Sequence, residues 1–385
     1  LADAMLHTPP LTLYIHIPWC VQKCPYCDFN SHGQQQALPE SEYISHLLDD
    51  LAEDAKRVGT RPVHSIFFGG GTPSLFSAAG IERILNGVRE RVNLTPDAEI
   101  TLEANPGTVE SEKFRAFRQA GINRISIGVQ SFQQDKLTAL GRIHDTDQAR
   151  HAAGYAHSAG LNSFNLDLMH GLPGQSVEDA LSDLRQAIAQ LPPHLSWYQL
   201  TIEPNTLFAS KPPVLPDDDI LWDIQQQGHG LLEAAGYQQY EISAYSQADH
   251  QCQHNLNYWR FGDYLGIGCG AHGKITDSHT GDIVRTVKVK HPKGYMDLSR
   301  AYLYEQQKVA PQDRPFEFFM NRLRLLEPCP KKDYEAFTGL ALHQFDAQDK
   351  LTTAIDAGLL HETAQSWQLT ALGKRYLNSL LEKLV

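Results

Sequence analysis

The chain has 385 residues, 42% hydrophobic and 20% charged, with a formal net charge of −12. That is an ordinary globular composition with material for two or three domains, and its acidic balance argues against a general binder of nucleic acid or anionic membrane. No apolar run reaches the length of a membrane span and no basic n-region with an apolar h-region opens the sequence, so a cytosolic protein is expected. Residues 1–4 precede the first methionine, Met5, and are expected to lie ahead of the natural start.

The first strand-like run, Leu11 to Ile17, leads into Cys20-Val-Gln-Lys-Cys24-Pro-Tyr-Cys27. Three closely spaced thiolates can hold three irons of a 4Fe-4S cluster and leave the fourth iron open. A zinc site completed by His16 or His32 is a second reading, and a redox pair at Cys24 and Cys27 a third, although it leaves Cys20 unexplained. The remaining cysteines, Cys252, Cys269 and Cys329, are too scattered for a disulfide framework and read as reduced thiols.

Further strand-like runs follow at Val63 to Phe68, Glu99 to Glu103, Arg124 to Val129, Ser163 to Met169 and Ser196 to Ile202. Amphipathic helices alternate with them. Ile44, Leu47, Leu48 and Leu51 share one face, as do Ile81, Ile84, Leu85 and Val88. The pattern Val109 to Ala120 stops at Gly121 and the next at Gly160, where glycine caps a helix C-terminus. Six β-α units in series predict an α/β fold, a partial (β/α)6 barrel with its site at the C-terminal ends of the strands.

The chemistry-bearing residues fall at those ends. Gly69-Gly70-Gly71-Thr72-Pro73 follows the second strand; it lets backbone approach a ligand, or else makes a tight turn, and lacks the Lys of a phosphate-binding loop. The next three strands end in Glu103-Ala-Asn105-Pro106, Gly128-Val-Gln130-Ser131 and Asp167-Leu-Met-His170. Polar groups at successive strand ends are better explained by a shared ligand than by core packing. Arg142 is placed to meet a carboxylate, or to form a surface ion pair.

Beyond the strands, Lys211 to Asp219 is Pro-rich and acidic and reads as a boundary, with helix Ile220 to Ala235 and strand Tyr240 to Tyr245 still on the barrel side. Gln253-His254-Asn255-Leu-Asn257-Tyr258-Trp259 follows; considered alone, His254 reads as a hydrogen-bonded structural histidine. Gly268 to Gly273 spells G-x-G-x-x-G but precedes no helix, so it is not read as a nucleotide site. From Pro315 the pattern is helical, with Phe316, Phe319, Met320 and Leu323 on one face, then a hairpin Leu359 to Leu369 and a helix Ala371 to Leu384. This suggests a mostly helical, winged-helix-like domain. Its candidate reading helix, Asp346 to Ala357, carries three aspartates and one lysine, which favours a packing or lid role over DNA.

Together, the Cys-x3-Cys-x2-Cys loop, the Gly-Gly-Gly-Thr-Pro turn, Glu103, Gln130 and Asp167 resemble the radical S-adenosylmethionine (SAM) superfamily, in its branch containing oxygen-independent coproporphyrinogen oxidase. The resemblance implies a 4Fe-4S cluster on Cys20, Cys24 and Cys27, with the open iron chelated by SAM. Tyr14, Tyr26, Gly70, Gly71, Thr72 and Glu103 are then implied to line SAM, with Gln130, Arg142 and Asp167 farther along the pocket. Two departures separate the chain from the oxidase: Phe29 stands where a fourth cysteine belongs, and Cys20 lies close to the start. The closer resemblance is to the sister group of heme chaperones, whose His-Asn-x-x-Tyr-Trp signature matches His254 to Trp259. It implies that His254 is an axial ligand of heme iron, with Cys252 an alternative and His272 a weaker one. The implied partners are heme and a heme-acceptor protein, such as a membrane-bound respiratory protein, and no nucleic acid. The implied division is 11–245 barrel, 246–314 connecting region with the heme motif, and 315–385 C-terminal domain. The alternative is an oxidase that cleaves SAM to a 5′-deoxyadenosyl radical and abstracts hydrogen from a porphyrinogen propionate.

Overall fold

A computed structural model describes residues 5–33 and 37–385; residues 1–4, expected to precede the natural start, lie outside it. The parallel strands are β1 (Leu11–Ile17), β2 (Pro62–Gly70), β3 (Asn93–Ala104), β4 (Arg124–Gln130), β5 (Ser163–His170) and β6 (His194–Gln199). Helices α1 (Glu40–Val58), α2 (Ala78–Arg91), α3 (Phe114–Ala120), α4 (Thr146–Ala159) and α5 (Val177–Ala189) cover their outer face. Successive side chains on a strand point to opposite faces. Leu13, Ile15, Ile66, Phe68, Leu102, Ile127 and Leu166 therefore pack under the helices in one buried core. The alternate positions turn inward and are largely polar: Glu99, Glu103, Arg124, Ser126, Asn165, Asp167, His194 and Tyr198. Local sequence fixes the helix ends. Asp145 and Gln148 form a reciprocal cap at the start of α4, and Gly160 ends it in the left-handed region at φ 70°.

The sheet does not close. It continues from β6 into an antiparallel hairpin, β7 (Gln238–Glu241) and β8 (Ala244–Ser246), where one strand, Tyr240 to Tyr245, was expected. On the other side β1 pairs in parallel with β9 (Asp263–Ile267), followed by antiparallel β10 (His272–Asp277), β11 (Asp282–Lys288) and β12 (Leu303–Lys308). The full order is β12-β11-β10-β9-β1-β2-β3-β4-β5-β6-β8-β7. Residues 246–314 thus build a wing of the main sheet, and the G-x-G-x-x-G run leads into β10, which already contains Gly273, and into no helix. Helix α6 (Asp218–Ala234) packs back on the barrel, where Gly228 leaves room for the Trp197 ring. The Pro-rich stretch before it is therefore a loop within the sheet domain rather than its boundary. Two expected helices are broken: 109–120 becomes Thr108–Ser111 and α3, and 371–384 breaks at Tyr376.

A short helix, α7 (Gln253–Trp259), plugs the N-terminal end of the barrel. Its first amides are held by one carboxylate: Gln253 N donates to Glu99 Oε2 (2.9 Å) and His254 N to Oε1 (3.1 Å). The C-terminal part has its own core around Phe318, Phe319, Tyr334, Leu351 and Trp367, joined by Phe261 and Ile283 from the sheet domain. In α8 (Arg314–Arg322) Phe318 rather than Met320 is buried, because the helix faces both its own sheet and Phe261. A three-stranded antiparallel sheet, Cys329–Pro330, Ser366–Leu369 and Leu360–Glu362, completes this part. Arg260 and Glu327 pair in bidentate fashion across the junction (2.8 and 2.9 Å). Among the described residues no helix is long and apolar enough to cross a membrane.

Candidate functional site

β1 runs straight into the cysteine loop. Trp19–Cys20 pairs with His32–Gly33, which closes the loop at its base, and Cys27 N donates to Cys24 O (3.1 Å). Asn30 clasps the loop to distant chain: its Nδ2 donates to Cys269 O (3.2 Å) and Lys290 O (2.8 Å). Its own carbonyl accepts from His16 Nε2 at 2.6 Å. The other nitrogen of His16 then accepts from Tyr14 OH (2.9 Å). Both nitrogens of His16 are engaged, and burial lowers its pKa to about 4, so it is a neutral strut and no zinc ligand.

The loop forms one wall of a cavity of about 430 Å3 at the C-terminal ends of the strands. Here the structure gathers Cys20, Cys24, Cys27, Tyr26, Gly70, Gly71, Thr72, Glu103, Gln130, Arg142 and Asp167. Arg142 is half-buried in the cavity wall and forms no ion pair with a carboxylate of the described residues. Its guanidinium donates to Asn105 Oδ1 (2.7 Å) and Gly128 O (2.8 Å), and lies 3.6 Å from Cys24 Sγ. Gln130 ends β4 in the left-handed region (φ 69°) at a register break, a conformation costly for a residue with a Cβ. The turn aims its amide inward, where Tyr198 OH donates to Oε1 (3.1 Å).

The glycine turn has a different first purpose from the one its sequence suggests. Gly71 N and Thr72 N donate to Ile17 O and Trp19 O, both at 2.7 Å. A Cβ on Gly71 would collide with the Trp19 carbonyl, and one on Gly70 (φ 122°) would sit 2.7 Å from Ile17 O. The turn is stitched to the root of the cysteine loop. Opposite it stand two acids. Burial, then the nearby Asp167 carboxylate, raise Glu103 to about 8, against an opposing Gly70 amide. Burial raises Asp167 as well.

Two expected site residues lie elsewhere. Tyr14 is not among the residues that line the cavity; its hydroxyl meets His16 Nδ1 (2.9 Å), its ring passes close to Gly69, and the charge of Glu103 reaches it. His254 is in the plugged end of the barrel. It is 8% exposed, stacked on Phe67 at 5.2 Å, with Nδ1 2.8 Å from Ser65 Oγ. Burial lowers its pKa to about 3, so it is a neutral imidazole. Cys252 is fully buried and pushed up to about 12, while His272 is exposed. Asn105, one of the polar strand-end residues, and Tyr198, which the sequence reading did not name, both belong to the cavity wall. Asn105 follows Glu103 by two residues, and Tyr198 shares the inward alternation of His194 and Ser196, so strand parity was the signal for both.

A family model described as the radical SAM superfamily matches residues 14–187, the stretch that holds the cysteine loop and both cavity acids, and a model of the HemN C-terminal domain matches 309–376. The chain is a radical SAM protein. It is 61% identical to the heme chaperone HemW of Escherichia coli strain K12 over 98% of this chain and 99% of that one. It is also 61% identical to HemW of Haemophilus influenzae, over 97% of each. The chain belongs to the HemW family. Its fold matches that of the coproporphyrinogen III oxidase HemN of Escherichia coli with a TM-score of 0.82, covering 98% of this chain and 90% of that one at 24% identity.

Membership in the superfamily implies a 4Fe-4S cluster and SAM. The residues present fit both. Three thiols on one loop share a cavity rim, the Arg142 guanidinium lies beside Cys24 Sγ, and the acids suit a cationic ligand.

Proposed function

We propose that this chain binds heme and hands it to an acceptor protein, with a 4Fe-4S cluster on Cys20, Cys24 and Cys27 and SAM in the adjoining cavity. The observation that carries the reading is near-full-length identity to heme chaperones together with the gathered cysteines and acids of the cavity. Glu103 and Asp167 would hold the cationic end of SAM, and Gln130, Thr72 and Tyr26 would orient it. The cluster, when bound, supplies an iron site for SAM and a redox centre. Residues 11–245 would carry this end of the molecule, 246–314 the heme motif and 315–385 a covering domain.

His254 would ligate heme iron. Its imidazole is neutral, as a ligand must be, and the neighbouring Tyr258, 37% exposed, offers an aromatic face to a macrocycle. To reach iron, α7 must lift its first turn from Glu99 and Ser65, so heme capture is coupled to unseating that helix. The acceptor class implied by the family resemblance is a membrane-bound respiratory enzyme, approached by a cytosolic donor.

The test is a hemin titration of the cluster-reconstituted protein, followed by transfer to an apo-acceptor. We expect stoichiometric binding, loss of the Soret shift in His254→Ala, and transfer without turnover of coproporphyrinogen. A wild-type spectrum in the variant moves the heme site elsewhere; protoporphyrinogen formed with reductant and SAM overturns the chaperone reading in favour of an oxidase.

A further inference from the structure

The interior between the cavity and the plug holds an unbroken line of buried polar groups. Starting at the cavity, Asn165 Nδ2 donates to Asp167 Oδ1 (2.8 Å) and to Ser126 Oγ (3.0 Å). Asn165 Oδ1 faces His194 Nδ1 (2.6 Å), His194 Nε2 faces Tyr240 OH (2.6 Å), and that hydroxyl meets Cys252 N (3.0 Å) at the start of α7. Asn165, His194, Tyr240 and Cys252 are all buried.

Chemistry fixes the direction of every bond. Asn165 turns its NH2 to Asp167 and Ser126, because the Cys252 N–H can only donate, and a neutral His194 that accepts from Tyr240 gives its own proton to the Asn165 carbonyl. Its oxygen can only accept, so His194 carries its proton on Nδ1. Burial keeps His194 neutral, which leaves Nε2 to accept from Tyr240, whose oxygen in turn accepts from Cys252 N–H. All the donors therefore point one way, toward Asp167. Bonds aligned head to tail polarise one another and strengthen together. Arg124, 4% exposed and with its Nε lacking a partner, stands alongside, facing Cys252 and Glu99 at one end and Asp167 at the other.

We propose that Asn165, His194 and Tyr240 are positioning residues that couple occupancy of the cavity at Asp167 to the seating of α7, so that SAM binding holds the His254 helix in the barrel. A cation beside Asp167 makes it a full carboxylate, the aligned bonds tighten, and the first turn of α7 is held more firmly. An empty cavity relaxes it. By linkage, unseating α7 for heme lowers SAM affinity by the same factor. The inference rests on the proposed SAM site, but not on His254 being the heme ligand.

The experiment is amide hydrogen exchange of the segment 252–260 in cluster-reconstituted protein, with and without saturating SAM, in wild type, Tyr240→Phe and His194→Phe. In wild type we expect SAM to slow exchange about 5-fold; in each variant, less than about 2-fold, with SAM affinity itself held within about 2-fold. Equal slowing in wild type and both variants overturns the coupling and leaves the residues a merely structural role, and so does an unresponsive segment in SAM-bound wild type. Absence of SAM binding overturns the coupling together with the site it rests on. A heme spectrum unchanged in His254→Ala, with the exchange pattern intact, removes the heme ligand and supports the coupling.

Discussion

The two ends of the barrel are built from the same six strands and have opposite characters. At the C-terminal ends, the cysteine loop and the strand ends hold thiols, acids and a strained Gln130 around open space. At the N-terminal ends α7 fills the space, and its polar groups are bonded to Glu99, Ser65 and Tyr240. Inward-facing polar residues are costly when buried alone, and the molecule meets that cost in two ways: with a cavity for ligands at one end and with a helix at the other. A polar strand interior therefore marks function only where no element of the chain satisfies it.

The largest expected effect lies at the open end. Cys24→Ala should abolish assembly of an intact cluster, read as bound iron and sulfide per chain after anaerobic reconstitution; retention of the wild-type content would remove Cys24 from the site. Gly71→Ala comes next. The added methyl meets the Trp19 carbonyl, so the turn and the cysteine loop must part, with a loss on the order of 2 kcal/mol and a lower cluster yield. Unchanged melting would show that the stitch yields freely.

Glu103→Gln should act in the opposite direction. With the acid raised from its ordinary value to about 8, the folded state keeps a proton that the unfolded chain has lost, so wild-type stability falls as pH rises from about 4.5 to 8. The variant lacks that fall and should be the more stable at pH 9, on the order of 2 kcal/mol. Melting temperatures across pH 5 to 9 check the sign, and parallel curves would show that Glu103 is ionised throughout. The smallest effect belongs to the plug. Ser65→Ala removes the partner of His254 Nδ1, at a cost of about 1 kcal/mol, and should speed amide exchange in α7 while leaving cluster content unchanged. An effect on the cluster instead would erase the distinction between the two ends.

Much of the open end was legible because it is local. Strand alternation, the spacing of Cys20, Cys24 and Cys27, and polar residues at strand ends are properties of short segments, and they placed Glu103, Gln130 and Asp167 in one cavity. What was not legible depends on pairings remote in sequence. Tyr14 was named through the family resemblance and not from its own segment; its bond to His16 and the close pass of Gly69 along its ring are contacts that no local pattern encodes. The position of His254 depends on β9 pairing with β1, which carries the preceding helix beneath the barrel. No periodicity in residues 253–259 encodes that. The same remoteness hid β9 itself, whose short run Asp263 to Ile267 resembles a loop between glycines.

The Asn30 clasp sets an order on biogenesis. Its partners Cys269 and Lys290 lie 239 and 260 residues downstream, so while the chain emerges from the ribosome the three thiols are held at the loop's base alone. Domains fold as units as they are completed, N-terminal parts first, yet here the earliest functional segment waits for one of the latest. A cluster donor would meet a finished receptacle only after residue 290 has been added, which makes metal loading a late, whole-domain event.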